Sequence, residues 1–426
     1  MNDLPQNYQM CGIAEEQRGE VIDLERWAFP SEETREEMLD APNYYDFART
    51  QGIRHQPDGR LVAMHSSIRW DALPVPGATA AAAGLTMVAV HPEHRRKGLL
   101  NAMIDLHFSH CRKRGEAISM LTATEAAIYG RYGYGHASDS LSLTLNRGQA
   151  LRPVEGSQDV KVSILDVDPA AHAALIDRIH REAGASGMLA RPGWGTRDTP
   201  NLRDVMLRDF PSSLRGTEET RLALAEREGQ PVGYALFRRS DIWACWAQGA
   251  PGAEVIVKEY AALDGAATCA LWSRLLDLDL TVKVHIGPLP ANDPLVGMLV
   301  AVGTAQTHLE EMLWVRLVDV PAALAARRYA TDVDAVLEVE DSLIAANQGR
   351  WHLSAPAFGG PVCVEPTSRE PDIRLDVREL GAAYLGGTSL ASLAACGLVR
   401  STDPLTLLKV ASAFLWPVSP ACTWYF

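Results

Sequence analysis

The sequence reads Val88-Ala89-Val90-His91-Pro92-Glu93-His94-Arg95-Arg96-Lys97-Gly98-Leu99-Leu100-Asn101 where a short apolar strand leads through a basic loop into a helix. The first N–H groups of a helix have no partner within the helix, and the helix dipole favours negative charge there. Gly98 lets a ligand approach the backbone closely, and the three basic side chains before it add positive charge. The stretch therefore predicts a site for a phosphate-bearing ligand. A solvated basic turn before an ordinary helix is the alternative.

The residues around this loop predict an α/β unit. Their apolar patterns indicate strands and helices in alternation, with one strand–loop–helix crossover at the centre. The predicted strands cover 61–68, 85–90, 118–122 and 140–145, and the predicted helices cover 31–38 (capped by Ser31), 99–114 and 125–132.

A second unit repeats this order without the basic loop. Its predicted elements are a helix over 170–183, a hairpin over 223–226 and 232–237, a strand over 254–260, a helix over 266–276 and a strand over 281–286. Between the central strand and its helix the chain reads Ala261-Ala262-Leu263-Asp264-Gly265, with no arginine pair. Asp264 would repel a phosphate, so the second unit is predicted not to bind the same ligand.

The last part of the chain groups strands before helices, which predicts an α+β unit. The strands are predicted over 312–318, 334–339, 351–354, 361–365 and 373–377, and the helices over 321–329, 377–385, 389–395 and 404–413.

Length, charge and cysteines restrict the class of protein. A chain of 426 residues predicts two to four domains. The net charge of −13 argues against nucleic acid as a general partner and would favour cationic ligands, with solubility as the plainer explanation. Seven cysteines without a CxxC pair argue against structural zinc and a disulfide framework. The polar start and the lack of a membrane-length apolar run predict a cytoplasmic protein.

A second motif, Ile128-Tyr129-Gly130-Arg131-Tyr132-Gly133-Tyr134-Gly135, joins the basic loop. Together they resemble the GNAT superfamily of N-acetyltransferases, although Leu100 stands where glycine or alanine is commonest. The Arg-Arg-Lys-Gly-Leu-Leu variant, the three-unit layout and the final phenylalanine resemble the enhanced intracellular survival (Eis) family more narrowly. That resemblance implies α/β and α+β architecture: a catalytic GNAT domain over 1–154, a degenerate GNAT domain over 155–300, and a sterol-carrier-protein-like domain over 301–426.

The resemblance also implies an acetyl-CoA site and a general acid. Backbone groups of Val88, Ala89 and Val90 would contact the pantetheine arm. Tyr129 would protonate the departing CoA thiolate, with a packed aromatic side chain as the alternative. The remaining cofactor contacts would come from Arg95, Arg96, Lys97, Gly98, Leu99, Leu100 and Asn101 at the phosphates and from Thr124 and Glu125 farther along; no metal is expected.

The general base implied by the resemblance is Phe426, acting through its terminal carboxylate. An α-carboxylate is ionised at neutral pH but is a weak base unless burial raises its pKa. A frayed chain end is the alternative. The aromatic run Trp424-Tyr425-Phe426 should prefer a buried position, which favours delivery of the carboxylate into the cleft of the first domain.

The resemblance implies aminoglycoside-like polyamines as substrates, acetylated at several positions, and hence a role in antibiotic resistance. Trp27, Phe29, Glu32 and Glu33 are placed where aromatic and acidic side chains could hold a cationic sugar, although a solvated helix start explains the two acids equally well. Acetylation of protein lysines or peptides is an alternative activity, and a lipid-binding carrier module is a third. The family also implies a hexamer.

Overall fold

The computed structural model describes residues 4–187, 189–214 and 216–426. Two α/β units are followed by an α+β unit, as predicted. In the first unit the described elements are β1 (Tyr8–Gly12), α1 (Arg18–Ala28), α2 (Arg35–Asp40), β2 (Gln51–His55), β3 (Leu61–Val75), β4 (Ala78–Val90), α3 (Leu99–Arg114), β5 (Ile118–Thr122) and β6 (Gly135–Asn146).

The second unit repeats the hairpin, central strand and crossover helix. Its described elements are β7 (Val160–Asp166), α4 (Pro169–Gly184), α5 (Pro200–Leu207), β8 (Arg221–Arg227), β9 (Gln230–Arg239), α6 (Ile242–Ala247), β10 (Ala253–Ala262), α7 (Gly265–Leu275), β11 (Thr281–Leu289), α8 (Pro294–Met298) and β12 (Gln306–Leu317).

The third unit packs its helices on a small sheet. Its described elements are α9 (Val320–Ala326), β13 (Val333–Glu340), β14 (Gly349–Ala355), β15 (Cys363–Pro366), β16 (Ile373–Asp376), α10 (Val377–Tyr384), α11 (Leu390–Ala395), β17 (Val399–Ser401) and α12 (Pro404–Phe414). Within the described residues its sheet has the order β15-β14-β13-β16-β17.

One large sheet joins the first two units. In the described part of the chain its order is β1-β2-β3-β4-β5-β12-β6-β11-β10-β9-β8-β7. Strand β12 of the second unit inserts between β5 and β6, and it is antiparallel to both. Strand β6 of the first unit in turn pairs with β11 of the second. The two units therefore exchange their last strands, which fixes the first unit against the second.

The third unit docks on these exchanged strands through two glycines. A Cβ at Gly135 on β6 would collide with the backbone of α10, and a Cβ at Gly381 on α10 would collide with the carbonyl of Val315 on β12. Glycine permits this close approach of helix and sheet. A fully buried ion pair, Arg316 Nη2 to Asp341 Oδ2 at 2.7 Å, adds a charged link between the same parts.

Most predicted elements are confirmed, two of them differ from the prediction as described next, and several observed elements were not predicted, among them β1, α1, β2, β7 and α5. The predicted helix start at Ser31 is wrong: Thr34 caps α2, because its hydroxyl accepts from Glu37 N at 3.2 Å while Glu37 Oε2 accepts from Thr34 N at 2.7 Å. The strand predicted over 312–318 was grouped with the third unit, whereas β12 lies in the large sheet. The predicted domain boundaries at 154/155 and 300/301 remain predictions.

No helix in the described ranges is both long enough and apolar enough to span a bilayer.

Candidate active site

Strands β4 and β5 separate at the centre of the large sheet. They pair in parallel only where Ala82–Gly84 face Ile118–Met120. Beyond Gly84, β4 has an irregular register against β3, and Met87 has a φ of 54°. Within the described chain, residues 85–90 of β4 have no strand partner on the β5 side. The edge of β4 that faces away from β3 is therefore open at residues 85–90, as an extended ligand would need, and Val88 on this edge lines a cavity.

The basic loop ends in a concave run of backbone N–H groups. Arg96 and Gly98 both have left-handed backbones, with φ values of 61° and 78°. Gly98 caps α3 and has no side chain to satisfy the first N–H groups of the helix. Such a run of backbone N–H groups is a typical anion-binding concavity.

The side chains of the loop divide into an exposed set and a packed set. Arg95, Arg96 and Lys97 are exposed, whereas Leu99 is buried and Leu100 half-buried. Leu99 can therefore offer a ligand only its backbone. Asn101 Oδ1 already accepts a hydrogen bond from Tyr132 Oη at 2.6 Å.

Two histidines and a glutamate at the start of the loop are potential metal ligands. Donor atoms of His91, Glu93 and His94 lie within 4.8 Å of one another. Loop hydrogen bonds use part of this set: Glu93 N donates to His91 Nδ1 at 3.4 Å, and His94 Nδ1 lies 2.8 Å from Tyr8 Oη. The expectation of a metal-free protein is untested.

A cavity of about 490 Å³ lies at the separation of β4 and β5. All three units build it. Its walls include Val88, Thr122, Thr124 and Tyr129 from the first unit, Leu202, Val205 and Met206 on and beside α5 of the second, and Trp424, Tyr425 and Phe426 at the end of the third. The two residues predicted to carry the chemistry, Tyr129 and Phe426, thus face one cavity although 297 positions separate them (426 − 129 = 297).

Tyr129 is held in a short 3₁₀ helix over Ala126–Tyr132. Its ring meets that of Tyr134 edge-on at 5.9 Å, and only 9% of the residue is exposed. Burial, with the charge of Glu125 as a smaller cause, raises the pKa of the Tyr129 hydroxyl to about 12. The phenol therefore keeps its proton throughout the neutral range.

The end of the chain is anchored in the same cavity. Thr122 Oγ1, at the end of β5, donates to the carboxylate of Phe426 at 2.9 Å. The Phe426 ring packs edge-on against Trp70 at 5.0 Å. Gly84 makes room for both rings, since a Cβ there would collide with Trp70 and press on Phe426. The alternative of a frayed end does not describe this structure.

The second unit guides the chain end to this position. Ala421 N donates to Pro192 O at 3.0 Å, and Trp424 Nε1 donates to Gly195 O at 2.8 Å. Thr423 Oγ1 lies 2.8 Å from His180 Nε2. The second unit therefore contributes to the cavity of the first by holding the segment that enters it.

The residues predicted to bind substrate are divided among several places. Phe29 lines the 490 Å³ cavity, and Glu33 lines a neighbouring cavity of about 210 Å³. Trp27 is 60% exposed and packs on His91 with ring centroids 5.1 Å apart. Glu32 is exposed. Neither Trp27 nor Glu32 lines these two cavities, so the structure brings only Phe29 and Glu33 toward the site.

Sequence reasoning missed three contributors to the cavity. Thr122 is the last residue of a predicted strand. Its position two residues before Thr124, a predicted cofactor contact, could have indicated that it lies at the site. Glu25 lies on α1, which was not predicted, and its signal was a glutamate at helical spacing from Val21 and Ile22. Helix α5 gave no signal, because only the tertiary structure brings it to the cavity.

In the second unit, an acidic side chain caps the helix that follows the central strand. Asp264 caps α7 and accepts from Ala267 N at 2.9 Å. Arg227 Nη1 donates to the same carboxylate at 2.8 Å, and this hydrogen bond holds the pKa of Asp264 below its usual value. A carboxylate thus already occupies the helix N-terminus where a phosphate would bind.

Comparison with known families accounts for all three units. Residues 12–137 and 187–317 each match a family described as an acetyltransferase (GNAT) domain, and residues 320–423 match one described as a sterol carrier protein domain. Two GNAT domains place the chain in the class of acetyltransferases, and GNAT acetyltransferases use acetyl-CoA.

Individual relatives define the family. An uncharacterized N-acetyltransferase of Streptomyces avermitilis is 38% identical over 352 residues, which is 81% of each chain. N-acetyltransferase Eis of Mycobacterium tuberculosis is 33% identical over 366 residues, 83% of this chain and 82% of that protein. The crystal structure of Eis1 from Mycobacterium abscessus superposes with a TM-score of 0.81 at 27% identity, covering 98% of this chain and all of the other. The chain belongs to the Eis family of N-acetyltransferases.

Proposed function

We propose that this N-acetyltransferase transfers the acetyl group of acetyl-CoA to primary amines of aminoglycoside-like polyamines, with Tyr129 as general acid and the carboxylate of Phe426 as general base. One observation carries the proposal. A protonated phenol from the first unit and an anchored carboxylate from the third line one cavity at the separation of two strands.

The first domain has the groups that acetyl-CoA requires. The N–H groups of residues 96–100 and the exposed cations Arg95, Arg96 and Lys97 would hold its phosphates. The unpaired edge of β4 at residues 88–90 would bind the pantetheine amides. Thr124 lies in the wall of the cavity, and Glu125 is the next residue along the chain. Bound in this way, acetyl-CoA would supply the activated acetyl thioester.

The two catalytic groups have separate proton tasks. The amine must lose a proton as it attacks, and the Phe426 carboxylate would accept that proton directly or through one water. Thr122 orients the carboxylate by donating to it. The hydroxyl of Tyr129 would hold the proton that the departing thiolate takes, and its raised pKa ensures that the proton is present before the reaction.

Acidic walls favour a cationic acceptor. A third cavity, of about 650 Å³, shares Tyr44, Ile68, Thr86 and Leu202 with the 490 Å³ cavity. Its walls also carry Glu15, Asp46, Asp71 and Asp198, of which Asp71 pairs with Arg69 and Asp198 with Arg181. Several carboxylates around a roomy cleft suit an acceptor with several ammonium groups. The family resemblance adds aminoglycosides as the expected members of this class, a cytoplasmic location and a hexamer.

Thiol release from acetyl-CoA tests the proposal. Purified protein is assayed with kanamycin, with simple polyamines and with a lysine-rich protein, and the products are identified by mass spectrometry. We expect turnover and multiple acetylation with kanamycin. Turnover with the lysine-rich protein alone would favour the protein-acetylating alternative and would contradict the proposed substrate class.

A further inference from the structure

Glu25 is a carboxylate in an unusual place. It lies on α1 at helical spacing from the buried residues Val21 and Ile22, on the face that turns toward the protein interior. Burial raises the pKa of this carboxyl, and the neighbouring charge of Glu33 raises it further. A carboxylate removed from water is costly unless a cation compensates it.

In the described part of the chain no cationic side chain pairs directly with this carboxylate. Among the described residues Glu25 forms no ion pair. The hydroxyl of Tyr45 donates to it, and a weaker hydrogen bond from Tyr44 also lowers its pKa. The charge of Arg18 lowers the pKa of Glu25, but Arg18 Nη2 donates to Met38 O at 2.8 Å and Ala41 O at 2.6 Å rather than to the carboxylate. The guanidinium is therefore engaged at the end of α2.

Glu25 also lies at a junction between two spaces. It lines both the 490 Å³ cavity and the neighbouring 210 Å³ cavity, whereas Tyr129 and Phe426 line only the first. Glu33 and Arg18 line the smaller cavity. A cation at the junction would meet Glu25, with Glu33 close by, at a place away from the reacting groups.

We propose that Glu25 forms an ammonium-binding subsite, which holds a second amine of a diamine or polyamine acceptor while the first amine reacts between Phe426 and Tyr129. The inference rests on the proposed function and makes it more specific. Phe29 and Val205 line both cavities together with Glu25, so apolar walls are available to a neutral spacer between the two amines.

The test compares matched acceptors. Cadaverine is paired with pentylamine, and putrescine with butylamine, so that each pair differs by one ammonium group. Binding is measured by calorimetry without acetyl-CoA, and kcat and KM are measured by thiol release. We expect wild type to bind each diamine about tenfold more tightly than its monoamine, as one charge-assisted contact would give. Glu25→Gln should reduce this gap to about twofold and should lower kcat/KM for the diamine about fivefold more than for the monoamine.

A matched control and a second variant make the outcome decisive. Glu16→Gln removes an exposed acid from the same unit and should leave the gap intact. If Glu25→Gln does not fold, Glu25→Asp is the second variant. It keeps the charge on a side chain that is one methylene shorter, and it should reduce the difference in affinity between diamine and monoamine. Three results would overturn the proposal. Wild type could bind diamine and monoamine equally, the difference in affinity could survive either Glu25 variant, or kcat could fall equally for both amines. Absence of thiol release with every amine would overturn the proposed function instead. Calorimetry would still test the role of Glu25, because it measures amine binding without turnover.

Discussion

The N-terminus of α3 in the first GNAT domain and that of α7 in the second are built differently. The first follows an eight-residue loop, 91–98, and is capped by Gly98 without a side-chain hydrogen bond. The second follows a two-residue connection and is capped by the carboxylate of Asp264. In both domains a central strand leads into a helix, and the two strands belong to the same large sheet. The comparison teaches that the length of the connection and the capping residue together separate a helix end open to an anion from one that the chain has already neutralised.

Removal of the Tyr129 hydroxyl should give the largest effect, because the second domain offers no substitute for it in the cavity. We expect Tyr129→Phe to lower kcat by about 100-fold or more while acetyl-CoA affinity stays unchanged, which is the range that general acids contribute. Steady-state kinetics and calorimetry check both parts. A kcat within twofold of wild type would contradict the assigned role.

The pH profile provides an independent control on this tyrosine. Since its pKa is raised to about 12, the phenol keeps its proton up to about pH 10. Wild-type kcat should therefore not fall between neutral pH and that limit. A descending limb in this range that disappears in Tyr129→Phe would show that the hydroxyl titrates far lower in the working enzyme.

Loss of the loop cations should weaken acetyl-CoA binding next most. We expect Arg95→Ala with Arg96→Ala to raise the acetyl-CoA Kd by about 10- to 100-fold, since each cation would make a charge-assisted phosphate contact. Arg112→Ala with Lys113→Ala is the matched control, because it removes two exposed cations from the other end of α3. If both double variants lost acetyl-CoA affinity equally, the effect would come from net charge and not from contacts in the loop.

A pair of glycines isolates the backbone contribution. Gly98 and Gly115 cap the two ends of α3, have φ values of 78° and 72°, and have no atom that an added Cβ would meet within 4 Å. Either glycine-to-alanine change should lower the free energy of unfolding by about 1–2 kcal/mol. Only Gly98→Ala should also raise the acetyl-CoA Kd, by about three- to tenfold, because it disturbs the N–H groups of the loop. Equal Kd values would exclude a role for this backbone.

The capping acid of the second domain should matter for stability alone. Asp264→Ala should lower the free energy of unfolding by about 1 kcal/mol at neutral pH and leave acetyl-CoA binding unchanged. Because the folded-state pKa of Asp264 is lowered, its stabilisation is present above its ordinary pKa and lost as the pH falls through the folded value. The difference from wild type should therefore shrink in acid. Urea unfolding of both proteins at neutral and acidic pH measures this difference in the free energy of unfolding.

The sequence predicted the parts of the site that depend on local pattern. Helix α3 over Leu99–Arg114, the strand Ile118–Thr122 and the difference between the two loops all follow from periodicity, glycine and charge. Tyr129 and Phe426 came from a family resemblance, and the structure places both in one cavity. Their catalytic roles remain proposals.

The missed parts depend on tertiary structure. Glu25 is distinguished by its half-buried position in a cavity wall without an ion pair in the described chain, which a helical pattern cannot reveal. Strand β12 pairs with β5 and β6 of another unit, and helix α5 reaches the cavity only because the two units share one sheet. The sequence order of these elements does not encode such exchanges.

The stoichiometry of acetyl-CoA binding tests the central claim most directly. Calorimetric titration of the full-length protein should give one site per chain, and the Arg95→Ala, Arg96→Ala variant should weaken that site while Asp264→Ala leaves it intact. Two sites per chain, or a single site that responds to Asp264 and not to the arginines, would contradict the account.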